Sequence, residues 1–172
     1  MKTLYLITGP AGVGKSTISK MIAESSEKSC LIEGDDIYHL VVGGYESPWK
    51  EGNHLDLFWQ QCLGLIETSL NFGYDVVFNY IIMKDRFEQV VKRFAGKDVV
   101  IKFVVLLAEE EALLKRDAQR PEDCQMGERV LVLLNEFKQE HFDVKHILDT
   151  SKMDEKQTAA KICSGSKYVV KI

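Results

Sequence analysis

The chain is predicted to fold as α/β, a three-layer sandwich in which helices cover both faces of a five-stranded parallel sheet. Three observations predict this. Five apolar runs alternate with segments whose apolar residues recur every three or four positions. Several of the runs are continuous in Val, Ile and Leu, the pattern of strands buried on both faces. No linker, repeat or low-complexity tract divides the 172 residues, so one domain is expected over 1–172.

The elements follow in order. Leu4 to Thr8 is the first strand, and Ile18, Met21 and Ile22 mark a helix behind it. Cys30 to Glu33 is the second strand. Leu55, Phe58, Trp59, Cys62 and Ile66 line one face of a long helix, and Gly73 follows it in the place where a left-handed residue ends a helix. Val76 to Tyr80 is the third strand; Phe87, Val90, Val91 and Phe94 mark the next helix, with Gly96 beyond it. Val99 to Ala108 is the fourth strand, and Pro121 stops the helix after it. Val130, Leu133, Leu134 and Phe137 form another amphipathic stripe. Ile147 to Thr150 is the fifth strand, and Ala159, Ile162 and Cys163 belong to a last helix. The tail "SKYVVKI" fits an edge strand or simple packing equally well.

Composition removes several classes of function. A net charge of −4 without any basic tract argues against general affinity for nucleic acid. Cys30, Cys62, Cys124 and Cys163 are widely spaced, without a C-x-x-C pair, so neither a zinc site nor a disulfide framework is expected. Buried free thiols in a reducing compartment are expected instead. The N-terminal apolar run is too short for a signal peptide and no window suits a membrane helix. The expected location is the cytoplasm.

The segment "GPAGVGKS" from Gly9 to Ser16 fits G-x-x-x-x-G-K-[ST] between a strand and a helix. Backbone N–H groups that converge on an anion need the angles glycine permits, and the following helix points its positive end at the same place. Lys15 would neutralise β- and γ-phosphates while the Ser16 hydroxyl helps to hold Mg²⁺. Gly9, Ala11, Gly12, Val13, Gly14, Lys15, Ser16 and Thr17 are therefore the expected nucleotide-binding residues. The plain alternative is a glycine turn carrying an exposed lysine.

With this loop in this context, the chain resembles the small-molecule kinase branch of the P-loop NTPases. That branch includes gluconate, shikimate, adenylylsulfate and chloramphenicol kinases, zeta-toxin-like proteins and AAA-type kinase relatives. The resemblance implies their fold and strand order, dependence on ATP, and an acceptor pocket built by the insertion after the second strand.

"LIEGDDIYH" ends the second strand in Glu33, Asp35 and Asp36. Phosphoryl transfer needs a carboxylate to orient or deprotonate the attacking hydroxyl. Asp35 is favoured by its likeness to the acidic-x-Asp strand end of shikimate and gluconate kinases, Asp36 by the "D-D-aliphatic" form of other relatives. A polar turn or helix cap explains the same residues. The third strand ends in Asn79 where a Walker B aspartate usually stands, so Asp35 or Asp36 is expected to complete the magnesium site with Ser16. Trp59, on an apolar helical stripe, reads as core. His39, His54, Asn79 and Arg86 are weaker acceptor-side candidates.

Arg116 and Arg120 are four apart, hence on one helix face, and a lid is expected near 116–129 that brings guanidinium donors to the transferring phosphoryl group and excludes water. A solvated helix with surface ion pairs is the alternative. The resemblance matches Arg116 and Arg120 to lid arginines, adds Arg129 to their cluster, and sets Thr150 and Ser151 near adenine, where a helix cap explains the same letters. The expected activity is ATP- and Mg²⁺-dependent transfer of the γ-phosphate to a hydroxyl of a small-molecule acceptor, with Lys15, Asp35, Asp36, Arg116 and Arg120 as catalytic residues. A nucleotide or nucleoside kinase and an ATP-binding switch without acceptor are the alternatives. Neither a nucleic-acid nor a membrane partner is expected.

Overall fold

The computed structural model describes residues 1–122 and 125–171. Its strands are β1 (Lys2–Thr8), β2 (Ser29–Glu33), β3 (Asp75–Asn79), β4 (Val99–Leu107) and β5 (Ile147–Asp149). They pair in parallel in the order β2-β3-β1-β4-β5. The helices are α1 (Lys15–Glu24), α2 (Gly34–Tyr38), α3 (Asn53–Asn71), α4 (Lys84–Phe94), α5 (Glu110–Ala118), α6 (Arg129–Gln139) and α7 (Glu155–Ser164). The α/β architecture and the five strands agree with the sequence pattern.

Register explains why the strand runs are continuously apolar. Leu4 of β1 stands beside Val76 and Ile101, and Leu6 beside Phe78 and Phe103. These even-facing residues pack with Phe58, Trp59, Cys62 and Ile66 of α3 and with Val90 and Phe94 of α4. Tyr5, Ile7, Val77, Val104 and Leu106 point to the other face, against α1, α6 and α7. Each central strand therefore buries both rows of side chains, at roughly 25 cal/mol per Å² of apolar area removed from water.

Three local features differ from the sequence expectation. The two aspartates expected at the end of the second strand lie past it, in the first turn of the short helix α2. Helix α5 ends at Ala118, before Arg120, because a residue that precedes proline avoids the helical region. Arg116 and Arg120 consequently do not share a helix face. Of the cysteines, Cys62 is buried, with burial pushing its thiol up to about 12, whereas Cys30 and Cys163 are only half-buried. Cys124 lies outside the described residues.

The tail packs as a single antiparallel bridge between Lys102 and Val169, where Phe103 N–H donates to Tyr168 O (3.0 Å) and Val170 N–H to Ile101 O (2.9 Å). β5 pairs only with Val105 to Leu107. The tail covers the edge of β4 that β5 leaves open. Among the described residues no helix is long and apolar enough to cross a membrane.

Candidate active site

The site forms beyond the carboxyl ends of the strands, where open α/β sheets bind ligands. Thr8 ends β1, and its hydroxyl accepts from Ile82 N–H (2.8 Å), tying the loop after β3 to the base of the glycine turn. Gly9 (φ 144°) passes so close to β4 that an added Cβ would lie 2.2 Å from Leu106 O. Gly14 (φ 96°) is the left-handed N-cap of α1. Ala11 and Val13 are buried beneath the loop, while Ser16 and Thr17 are exposed in the first turn of α1.

Lys15 Nζ donates to Gly9 O (2.9 Å) and Pro10 O (3.0 Å). Burial lowers its pKa to about 8; the Asp35 carboxylate opposes that shift, the Arg120 guanidinium adds to it, and Glu33 opposes it. Charges from β2, from α2 and from Arg120 beyond α5 thus act on one ammonium. Asp36 is not among them.

The partner of Ser16 is Glu33, not Asp35. Ser16 Oγ donates to Glu33 Oε2 (3.1 Å), and Asn79 Nδ2 donates to the same oxygen (2.6 Å). Glu33 and Asn79 are register neighbours on adjacent strands, so the sheet itself fixes this trio. Asp35 and Asp36 are exposed, one residue beyond Gly34, whose added Cβ would lie 2.5 Å from the Tyr80 ring. Burial chiefly raises the Tyr80 pKa, and the Asp35 charge raises it further.

The insertion between α2 and α3 is pinned from inside. His54, 4% exposed, accepts from Glu46 N–H at Nδ1 (3.0 Å), pairs with Tyr38 O at Nε2 (2.9 Å) and stacks on the Tyr38 ring at 4.0 Å. It is a structural histidine. His39 bonds the carbonyl of Asp35 (2.6 Å) and stacks on Tyr45. Trp59 is 6% exposed and belongs to the core, with the Arg86 guanidinium 5.6 Å from its ring. Trp49 is 70% exposed, and Arg129 of α6 lies 4.3 Å over its face. That contact joins the insertion to the start of α6.

Arg116 does not turn toward Lys15. It donates to Thr150 Oγ1 (3.2 Å) and Thr150 O (3.0 Å), clasping the loop after β5. Thr150 is itself buried and donates to Leu107 O (3.1 Å). Ser151 Oγ donates to Asp149 and accepts from Glu109 N–H (2.9 Å), whereas Asp154 caps α7 through a capping box. Arg120 binds Asp117 Oδ1 (3.3 Å), and Asp117 Oδ2 accepts from Met126 and Gly127 N–H (2.9 and 2.8 Å).

A family model for an AAA domain, AAA_33, matches residues 4–141. The chain belongs to this AAA domain family. Solved structures similar to this AAA domain protein share its fold at low identity. The tunicamycin resistance protein of Deinococcus radiodurans is 20% identical, each chain covered to 95%, with a TM-score of 0.69. A sugar kinase from Janibacter is 14% identical over 94% of this chain and 92% of its own, with a TM-score of 0.69. Shikimate kinase from Bacteroides thetaiotaomicron is 17% identical over 94% of each chain, with a TM-score of 0.63. The common architecture is the P-loop kinase fold. No curated protein matches the chain.

Within this AAA domain protein, sequence reasoning missed three participants. Glu33 entered only as part of an acidic pattern, although its strand neighbour Asn79 was singled out. Asp117 carried a legible signal: it stands one turn after the fully buried Leu113, on the apolar stripe, where a carboxylate needs internal partners. Tyr80, read as the end of a strand, carried no such signal.

Proposed function

We propose that the protein is a phosphotransferase that uses ATP and Mg²⁺ to phosphorylate a hydroxyl of a small-molecule acceptor. The observation that carries the reading is the glycine loop itself: Gly9 and Gly14 take positive φ ahead of α1, Lys15 Nζ rests on the loop carbonyls, and Glu33 is bonded to Ser16 beside it. A cation of depressed pKa, bonded among the described residues to two carbonyls of its own loop, suits an incoming polyphosphate.

The amides of Gly9, Ala11, Gly12, Val13, Gly14, Lys15, Ser16 and Thr17 would receive the phosphates, with the N-terminus of α1 behind them. Ser16 and Glu33 would hold Mg²⁺; their oxygens suit a hard cation, and Asn79 keeps the Glu33 carboxylate aimed at Ser16. When bound, the metal supplies charge neutralisation across the phosphates. Asp35 is left free to orient and deprotonate the acceptor hydroxyl, with Asp36 one position further along α2. Arg120 would stabilise charge on the transferred group, as part of a lid near 116–129, of which residues 123 and 124 lie outside the described residues. Arg116, with Thr150 and Ser151, would shape the adenine side by holding the loop after β5 against α5. Most of the catalysis is positioning and electrostatics.

The test combines calorimetry with Mg·ATP and ADP release measured with and without a panel of hydroxyl metabolites. Asp35→Asn is expected to bind ATP normally while turnover falls by about 10²- to 10⁴-fold; Asp36→Asn is expected to stay within a few-fold of the parent. The reverse pattern moves the base to Asp36. ADP release indifferent to every acceptor replaces the kinase by an ATPase or switch.

A further inference from the structure

Building on the phosphotransferase reading, we infer that the acceptor is a hydroxyl compound without an anionic group, recognised through an apolar or aromatic face. The charge on the acceptor side weighs against the alternative. From Glu33 to Asp56 the chain carries six acidic residues, Glu33, Asp35, Asp36, Glu46, Glu51 and Asp56, against Lys50 alone. That segment has a net charge of −5, larger than the −4 of the whole chain. Lys15 and Arg120, whose charges act at the same site, bring the sum to −3, whereas Arg86 and Arg129 lie outside the segment. Each is also engaged by an aromatic ring: Arg86 lies 5.6 Å from Trp59 and donates to Gln89 (3.1 Å), and Arg129 lies 4.3 Å over Trp49. An anionic acceptor would have to approach Asp35 through this field, and like charges brought together discriminate strongly against a partner.

The second observation is Tyr80. It is 8% exposed, with its ring 4.5 Å from Phe58. Among the described residues, the polar side-chain atoms both sealed from solvent and unbonded belong to Ser19, Gln61 and Tyr168. The Tyr80 hydroxyl is not one of them and has no partner among the described residues, so it meets solvent; its ring packs under Gly34, next to Asp35, and the hydroxyl is ready to bond a neutral polar group. Beyond it the insertion exposes Leu40, Val42, Tyr45 and Trp49, with Val42 at 91%. Apolar side chains so concentrated beside a catalytic crevice mark a ligand-binding wall.

The test uses the small-molecule pool of a cell extract, split by ion exchange into anionic, neutral and basic fractions. Each fraction is assayed for acceptor-dependent ADP release with Mg·ATP. Stimulation is expected in the neutral or basic fraction. Stimulation confined to the anionic fraction overturns this inference and leaves the phosphotransferase standing, whereas the absence of stimulation from every fraction overturns both. Tyr80→Phe keeps the ring and removes the hydroxyl. With the active fraction it is expected to raise the acceptor KM about fivefold or more, with the KM for ATP unchanged. An unaltered acceptor KM removes Tyr80 from the pocket.

Discussion

The Lys15 ammonium sits half-buried against two carbonyls of its own loop, and its pKa falls to about 8 from the 10.5 of a free lysine, chiefly through burial. Between about pH 8 and 10.5 the unfolded chain binds more protons than the folded one, so this group makes stability rise with pH across that window. Below about pH 8 its cost is fully present. Lys15→Met is therefore expected to raise the melting temperature of the ligand-free protein at pH 7 while abolishing ATP binding; an unchanged or lower melting temperature contradicts the burial argument. Polyphosphate would restore the charged form. Near pH 8, ATP binding should then take up protons, visible as a calorimetric enthalpy that varies with the ionisation heat of the buffer. Gly34 makes a second point at this scale. An alanine there would drive its Cβ to 2.5 Å from Tyr80, with backbone leading into Asp35 on the other side. Overpacking of this kind costs about 1–3 kcal/mol, and Gly34→Ala is expected to lower both thermal stability and turnover.

At the scale of elements, the joint between α5 and α6 depends on Asp117. Its carboxylate, 3% exposed, accepts both amides at Met126 and Gly127 and binds Arg120. Burial pushes its pKa up, but the bonds from Gly127, Met126 and Arg120 more than offset this and the net shift is downward. The stability it contributes is present above the ordinary carboxylate value of 3.8 and is lost as pH falls through the lower folded value. Asp117→Ala leaves two amides without their acceptor, a loss of about 1–3 kcal/mol. Urea melts at pH 7 and pH 3 check both halves: the variant should be less stable at pH 7, and the gap from the parent should narrow at pH 3.

At the scale of the molecule, the sheet brings segments far apart in the chain to one edge, and the tail completes it on the other side. Tyr168 is fully buried, and its carbonyl accepts from Phe103 N–H (3.0 Å). Tyr168→Ala, like other large aromatic truncations in a core, is expected to cost about 3–5 kcal/mol. For a chain of this size that corresponds to a melting temperature lower by roughly 6–20 °C, measurable by calorimetry. A shift under a few degrees would show that the tail is dispensable. The phosphate loop, about 30 Å of chain or less in one stretch, should keep its ATP affinity in this variant below the new melting point.

Element type and order follow from the sequence by itself, as does the glycine turn, because apolar periodicity and left-handed glycines act over a few neighbouring residues. Leu4 to Thr8 reads as a buried strand, and Gly9 to Ser16 as an anion nest, without any knowledge of the rest. Only tertiary structure decided that Ser16 meets Glu33, that Arg116 clasps Thr150, that Asp117 receives the amides beyond Pro121, and that Trp49 lies under Arg129. Most of these are contacts between residues 17 to 80 positions apart, and strand register and helix packing bring them together. A short carboxylate carries no local mark of which distant donor the finished sheet will set beside it.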